Sequence, residues 1–141
     1  MPYRYLDDIA IADAAFEAWG ATREELFAAC ADALVNVMVE ELDAIGRIET
    51  VEVSLQEIDL EMLLFNFLNE LLYYKDAQRL LLRAASLTIG LKDGLFHLHA
   101  TLYGEEAGRL ATHADVKAVT MHRFRVEQTG KGWEATVVLD I

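Results

Sequence analysis

Asp140 is followed by Ile141, and Ile141 is the last residue of the sequence. An aspartate side chain therefore stands next to an α-carboxylate. Two carboxylates on adjacent residues are a candidate site for a hard cation such as calcium or magnesium, which takes oxygen ligands. A third oxygen donor has to meet them. Asp13, at the start of an alternating run, is the candidate third, and Asp7 and Asp8 lie just upstream of it. Without a cation such a cluster repels itself and its pKa values rise. His97 and His99 are a second candidate: two apart on an extended run, they share a face and could bind a transition metal. Neither a cysteine nor a third histidine sits at local ligand spacing, so exposed or partly packed histidines are the plainer reading.

Much familiar chemistry is missing. The sequence has no Gly-rich phosphate loop, no CxxC pair, no GxSxG elbow and no HExxH. Ser54 and Ser86 lie in strand-like runs with no base at local spacing, so no nucleophile-plus-base arrangement can be assembled from the sequence. Generic enzyme readings are therefore weak.

Composition narrows the partners. The formal net charge is −12. That argues against direct binding to a nucleic-acid backbone and is compatible with cations or a basic protein partner. Apolar residues make up 54% of the 141 and there is one proline, the composition of a globular chain. Cys30 is the only cysteine, which suits a reducing cytoplasm. The start of the sequence has no signal-peptide pattern, and the most apolar stretch, Leu60 to Tyr74, is too short and too polar to span a bilayer. The expectation is one domain over residues 1–141, in the cytoplasm and off the membrane.

The elements that must position these residues follow from periodicity. Tyr3 to Leu6 is short and extended. Ala12 to Gly20 alternates, with Ala14, Phe16 and Ala18 on one face and Asp13, Ala15, Glu17 and Trp19 on the other. Thr22 and Glu25 form a capping box that opens a helix. Leu26, Phe27, Cys30, Ala33, Leu34, Val37 and Met38 give it a wide apolar stripe, and Cys30 within that stripe reads as a buried structural thiol.

A strand is expected over Arg47 to Leu55, with a phase slip near Glu49. A second helix runs from an Asp59 cap to about Lys75, and Asp76 to Arg79 connects it onward. Leu80 to Leu91 and Leu95 to Tyr103 form a hairpin about Asp93-Gly94. Gly104 to Ala114, with Thr112 and His113 near its end, reads as a mobile loop. Val116 to Glu127 and Trp133 to Ile141 complete the sheet. The fold class is α+β: antiparallel-rich β-sheet layers packed with two amphipathic helices.

Several segments carry a family resemblance. They are AFEAWG (Ala15 to Gly20), TREELF (Thr22 to Phe27), ALVNVM (Ala33 to Met38) and LLFNFLNELLYY (Leu63 to Tyr74). YGE (Tyr103 to Glu105), VKAVTMH (Val116 to His122) and the terminal VVLDI (Val137 to Ile141) follow. In this order the chain resembles the archease family over nearly its whole length. The VKAVTxH run, the N-F-L-x-E-L-L helix and the D-I stop are the most specific of these.

The resemblance implies a protein activator of an RtcB-type RNA ligase. Such an activator promotes guanylylation of the ligase and its turnover in tRNA splicing or RNA repair, without being the ligase. It implies a divalent cation, calcium with magnesium or manganese as alternatives, held by Asp13, Asp140 and the carboxylate of Ile141. The family motif before the first aspartate is H-T-A-D; here the same place reads Ala10-Ile11-Ala12-Asp13. The aspartate is kept, the two polar groups before it are not, and Asp8 is the nearest substitute. Lys117 and His122 fall in the VKAVTMH run and are further candidates for partner contact. As alternating strand residues, Lys117 would share a face with Val119 and Met121, and His122 would lie on the other face as a hydrogen-bonded histidine.

Two other functions fit the residues. One is a chaperone-like modulator of another RNA-modifying enzyme, such as a tRNA methyltransferase. The other is a small metal-dependent hydrolase using His97, His99 and Asp13. The cation reading makes a topological demand that they do not: the last strand must bring Ile141 to the sheet rim beside the start of the Asp13 strand.

Overall fold

A computed structural model describes residues 1–7, 13–110 and 113–141. In chain order the elements are β1 (Tyr3–Leu6), β2 (Asp13–Gly20), α1 (Arg23–Met38), β3 (Glu49–Glu57) and α2 (Leu60–Gln78). β4 (Leu80–Lys92), β5 (Leu95–Glu106), β6 (Ala118–Thr129) and β7 (Gly132–Asp140) follow. Short 3-10 turns lie at Leu42–Ala44 and Ala107–Arg109. The strands form a four-stranded sheet, β1-β2-β7-β6, and a three-stranded sheet, β3-β5-β4. Every pairing is antiparallel. This is the α+β class expected.

Both helices lie between the two sheets. α1 packs on β2 and β7 from one side and on β4 from the other; α2 packs on β6 and on β3, β4 and β5. That explains why the single stripe drawn on α1 is too narrow. Ala29, Ala31 and Val35 lie outside it and are buried as well. Small residues there let a sheet approach each side of the helix. The core is built on Phe16, Leu26, Phe27, Leu34, Leu63, Leu64, Phe67 and Leu68, all essentially inaccessible. Phe27 and Phe67 stack at 6.1 Å across the helix pair. Each such side chain contributes roughly 1.5–3 kcal/mol through burial. Cys30 is buried in the same core, and burial pushes its thiol pKa up.

Local signals hold where they are chemical. The Thr22 hydroxyl accepts from the Glu25 amide at 3.1 Å, and Glu25 reaches back to the Thr22 amide at 3.2 Å. Asp59 accepts from the Met62 amide at 2.7 Å. Asp93 and Gly94 both have positive φ, 53° and 76°, as a two-residue type I′ hairpin turn requires.

Four elements, α2, β3, β5 and β6, differ from expectation by two residues or more. α2 continues through the supposed connector to Gln78, because Lys75-Asp76-Ala77-Gln78 contains no breaker. It stops at Arg79 (φ 58°), whose N–H bonds the Lys75 and Tyr74 carbonyls. β3 is shifted two residues onward, to Glu49–Glu57. β5 runs past Tyr103 to Glu106, so Gly104 is a strand residue and not the start of a loop. A Cβ on Gly104 would lie 1.9 Å from the Leu81 carbonyl oxygen, so glycine is required there by the closeness of β4. The rest of the expected mobile loop is partly anchored: the His113 and Ala114 amides donate to the Met38 and Val37 carbonyls at the end of α1. Thr112 lies outside the described residues.

β6 starts at Ala118, two residues late, and is irregular between Thr120 and Arg125. Arg123 there has φ 54°. Among the described residues, no helix is long and apolar enough to cross a membrane.

Candidate metal centre

The strand order places β7 between β2 and β6. At one end of this sheet Asp140 is the register partner of Asp13 on β2 and of Ala118 on β6. Directly opposed residues on antiparallel strands project to the same face, with Cβ atoms about 4.5–5.5 Å apart. The two aspartates therefore stand side by side. Alternation decides which face this is. Ala14, Phe16, Ala135, Val137 and Leu139 point to the helices, so Asp13 and Asp140 point away from them. Next along that outer face are Ala15 and Val138, each 1% exposed. The carboxylates are thus bordered by an apolar floor, with Asp13 half-buried and Asp140 exposed.

The backbone at this sheet end is fixed from three sides. Ile141 is half-buried and packs against the core, which holds the end of β7. The Lys117 amide donates to the Asp140 carbonyl at 2.8 Å. Val116, next to it, is fully buried. The Lys75 ammonium, at the end of α2, bonds the Val116 carbonyl at 2.6 Å and the Asp115 carboxylate at 2.7 Å. Burial alone would lower the Lys75 pKa, but its hydrogen bonds to Asp115 and Asp76 outweigh that and raise it.

The side-chain donors here are all oxygen: the two aspartate carboxylates, that of Asp140 one residue from Ile141. That chemistry fits calcium, magnesium or manganese far better than a soft metal. Among the described residues, no three His, Cys, Asp or Glu side chains converge on a metal position. Two aspartates alone do not make such a site, and the third ligand expected from the sequence belongs to Ile141, the neighbour of Asp140.

The other sequence candidates separate. Asp8 lies outside the described residues, as do Ala10, Ile11 and Ala12. Lys117 is brought to the acidic end with its side chain exposed. His122 is carried further along β6 into the irregular stretch, where it is exposed and its amide donates to the Thr120 hydroxyl at 3.3 Å. The simple alternation expected of Lys117, Met121 and His122 fails. Lys117 precedes the strand, and the register shift breaks the pleat beyond Thr120.

His97 and His99 are on the outer face of the other sheet. The helix layer separates them from Asp13, so the hydrolase constellation does not form.

Spacing missed one arrangement. The His99 Nδ1 lies 3.0 Å from the Ser54 hydroxyl across the β3–β5 pair, and its Nε2 lies 3.0 Å from Glu52. A serine with a histidine partner therefore exists, at a separation that local spacing does not reach. The two residues are 45 apart in sequence and meet only through strand register. The His99 and Glu52 side chains are each 57% exposed, so water competes for these bonds and the network ties two strands at the surface.

A helix layer between two antiparallel sheets, with paired aspartates at one sheet end, defines a small acidic α+β protein with a candidate hard-cation site. The family model "Archease protein family (MTH1598/TM1083)" matches residues 3–141. The chain is 36% identical to "Protein archease" of Archaeoglobus fulgidus over 141 residues, covering 100% of both chains. It is 35% identical to "Protein archease" of Methanosarcina barkeri, covering 99% of this chain and 95% of that one. The solution structure of Methanobacterium thermoautotrophicum protein 1598 superposes with a TM-score of 0.86 at 31% identity, covering 99% of each chain. The chain belongs to the archease family.

Proposed function

We propose that this protein is a metal-binding protein cofactor of an RtcB-type RNA ligase, raising the ligase's guanylylation and turnover in tRNA splicing or RNA repair. The observation that carries the reading is the register of Asp13 with Asp140, one residue from Ile141. Like charges directly opposed on neighbouring strands destabilise each other, by up to about 1 kcal/mol. A bound calcium ion would offset that repulsion by neutralising most of the negative charge the carboxylates bring together. Asp13, Asp140 and the Ile141 carboxylate would hold it. Family membership supports the ligase as partner, and a net charge of −12 suits docking on a basic protein surface rather than on RNA. In this reading the protein is an accessory and transfers no group itself.

The test is ligase guanylylation with GTP and calcium, with and without this protein. Wild type is expected to accelerate the step and Asp13→Ala to lose most of the acceleration. Equal stimulation by the two proteins would refute the metal-site mechanism. Recovery of a tRNA methyltransferase and no ligase from a lysate would refute the ligase assignment.

A further inference from the structure

We propose that Lys75 is a positioning residue for the acidic sheet end, acting through the 113–117 segment on Asp140. Its consequence for cation binding rests on the metal reading above; the mechanical link does not.

The link is continuous on named bonds. Lys75 is in the last turn of α2, and its side chain is only 10% exposed. An ammonium has three N–H donors. Three oxygens surround this one: Asp76 and Asp115 carboxylates, each at 2.7 Å, and the Val116 carbonyl at 2.6 Å. The segment it grips has no strand pairing of its own before Ala118. Upstream it is tied by the His113 amide to the Met38 carbonyl at 3.0 Å, a helix-end acceptor with no partner inside the helix. Downstream the Lys117 amide holds the Asp140 carbonyl at 2.8 Å.

Lys75 is therefore two residues, Val116 and Lys117, away from the backbone of Asp140, though 65 positions away in sequence. An ammonium on a flexible stem is suited to this role because its donors radiate and can hold three oxygens at once. Metal sites need their ligands held to about 0.5 Å, and groups that orient ligands typically change metal affinity by about 10–100-fold when removed.

The full-length chain tests this with Lys75→Met, Lys75→Arg and Leu71→Ala. Leu71 is a core residue of α2, so its variant reports the effect of lost stability alone. Hydrogen exchange at the Lys117 amide and calorimetric titration with calcium are the readouts. Lys75→Met is expected to speed Lys117 exchange severalfold and weaken calcium binding about tenfold. Lys75→Arg keeps the charge but holds its donors in one plane, so it should restore only part of both. Leu71→Ala, compared at equal distance below its melting temperature, should leave calcium affinity unchanged.

Wild-type exchange and affinity in Lys75→Met would overturn the proposal, and so would an equal loss of affinity in Leu71→Ala. If Lys75→Met does not fold, Asp115→Asn weakens the same grip from an exposed position, and unchanged Lys117 exchange there overturns the proposal. If wild type takes up no calcium, the metal reading fails, and Lys117 exchange alone decides the role of Lys75.

Discussion

Asp13 opens β2 directly opposite Asp140, the last residue of β7, although the two lie 127 positions apart in sequence. Their side chains share the outer face of the sheet beside buried Ala15 and Val138. This pairing of like charges has consequences that can be measured.

Replacing one carboxylate should separate binding from stability. Asp140→Asn is expected to weaken calcium binding about tenfold or more, since ligand charge sets affinity in oxygen sites. Without calcium the same change removes a repulsion and leaves stability equal or higher by up to about 1 kcal/mol. Urea unfolding with and without calcium checks both signs. A destabilised calcium-free variant would contradict the account.

The Thr22 cap is remote from the acidic end. Thr22→Ala removes the bond to the Glu25 amide and should cost about 1 kcal/mol in urea unfolding. Calcium affinity should not change, which tests whether the site depends on local fastening rather than on overall stability.

Gly104→Ala should be more damaging than a strand glycine would ordinarily suggest. The new methyl would collide with the Leu81 carbonyl, and forcing β4 and β5 apart should cost about 1–3 kcal/mol. Denaturant midpoints for Gly104→Ala and for Gly90→Ala, where nothing lies within 4 Å, give the comparison.

The buried thiol predicts an alkaline weakness. Cys30 in the folded chain is held well above its ordinary value of about 9. Only the unfolded state then ionises as pH passes 9, so folded Cys30 keeps a proton that the unfolded chain releases. Stability from this group is complete below that pH and falls above it, by at most ~1.4 kcal/mol per pH unit. Cys30→Ala should flatten the fall between pH 9 and 10. An unchanged slope would contradict it. Tyr3, pushed up to about 12 chiefly by burial, adds a loss of the same sign above pH 10.

How far the sequence carried this picture depends on the range of the interaction. The Thr22–Glu25 box, the Asp59 cap and the Asp93-Gly94 turn are set by atoms within four residues, and each is legible. The meeting of Asp13 with the chain end could be posed only as a demand on topology, because register is fixed by the apolar faces of β2 and β7 together. Gly104 misled because glycine marks loops and also marks backbones pressed together, and sequence does not separate the two. The β6 irregularity, the sheets on both sides of α1, the Ser54–His99 pair and the grip of Lys75 are all non-local. No periodicity encodes them.

The central claim is that the carboxylate of Ile141, with Asp13 and Asp140, forms the working site. The most direct measurement is calcium-dependent stimulation of ligase guanylylation by a chain extended by one glycine after Ile141. That change moves the α-carboxylate without altering any side chain. The account predicts that stimulation is lost while the melting temperature without calcium stays at the wild-type value. Full stimulation by the extended chain would contradict it.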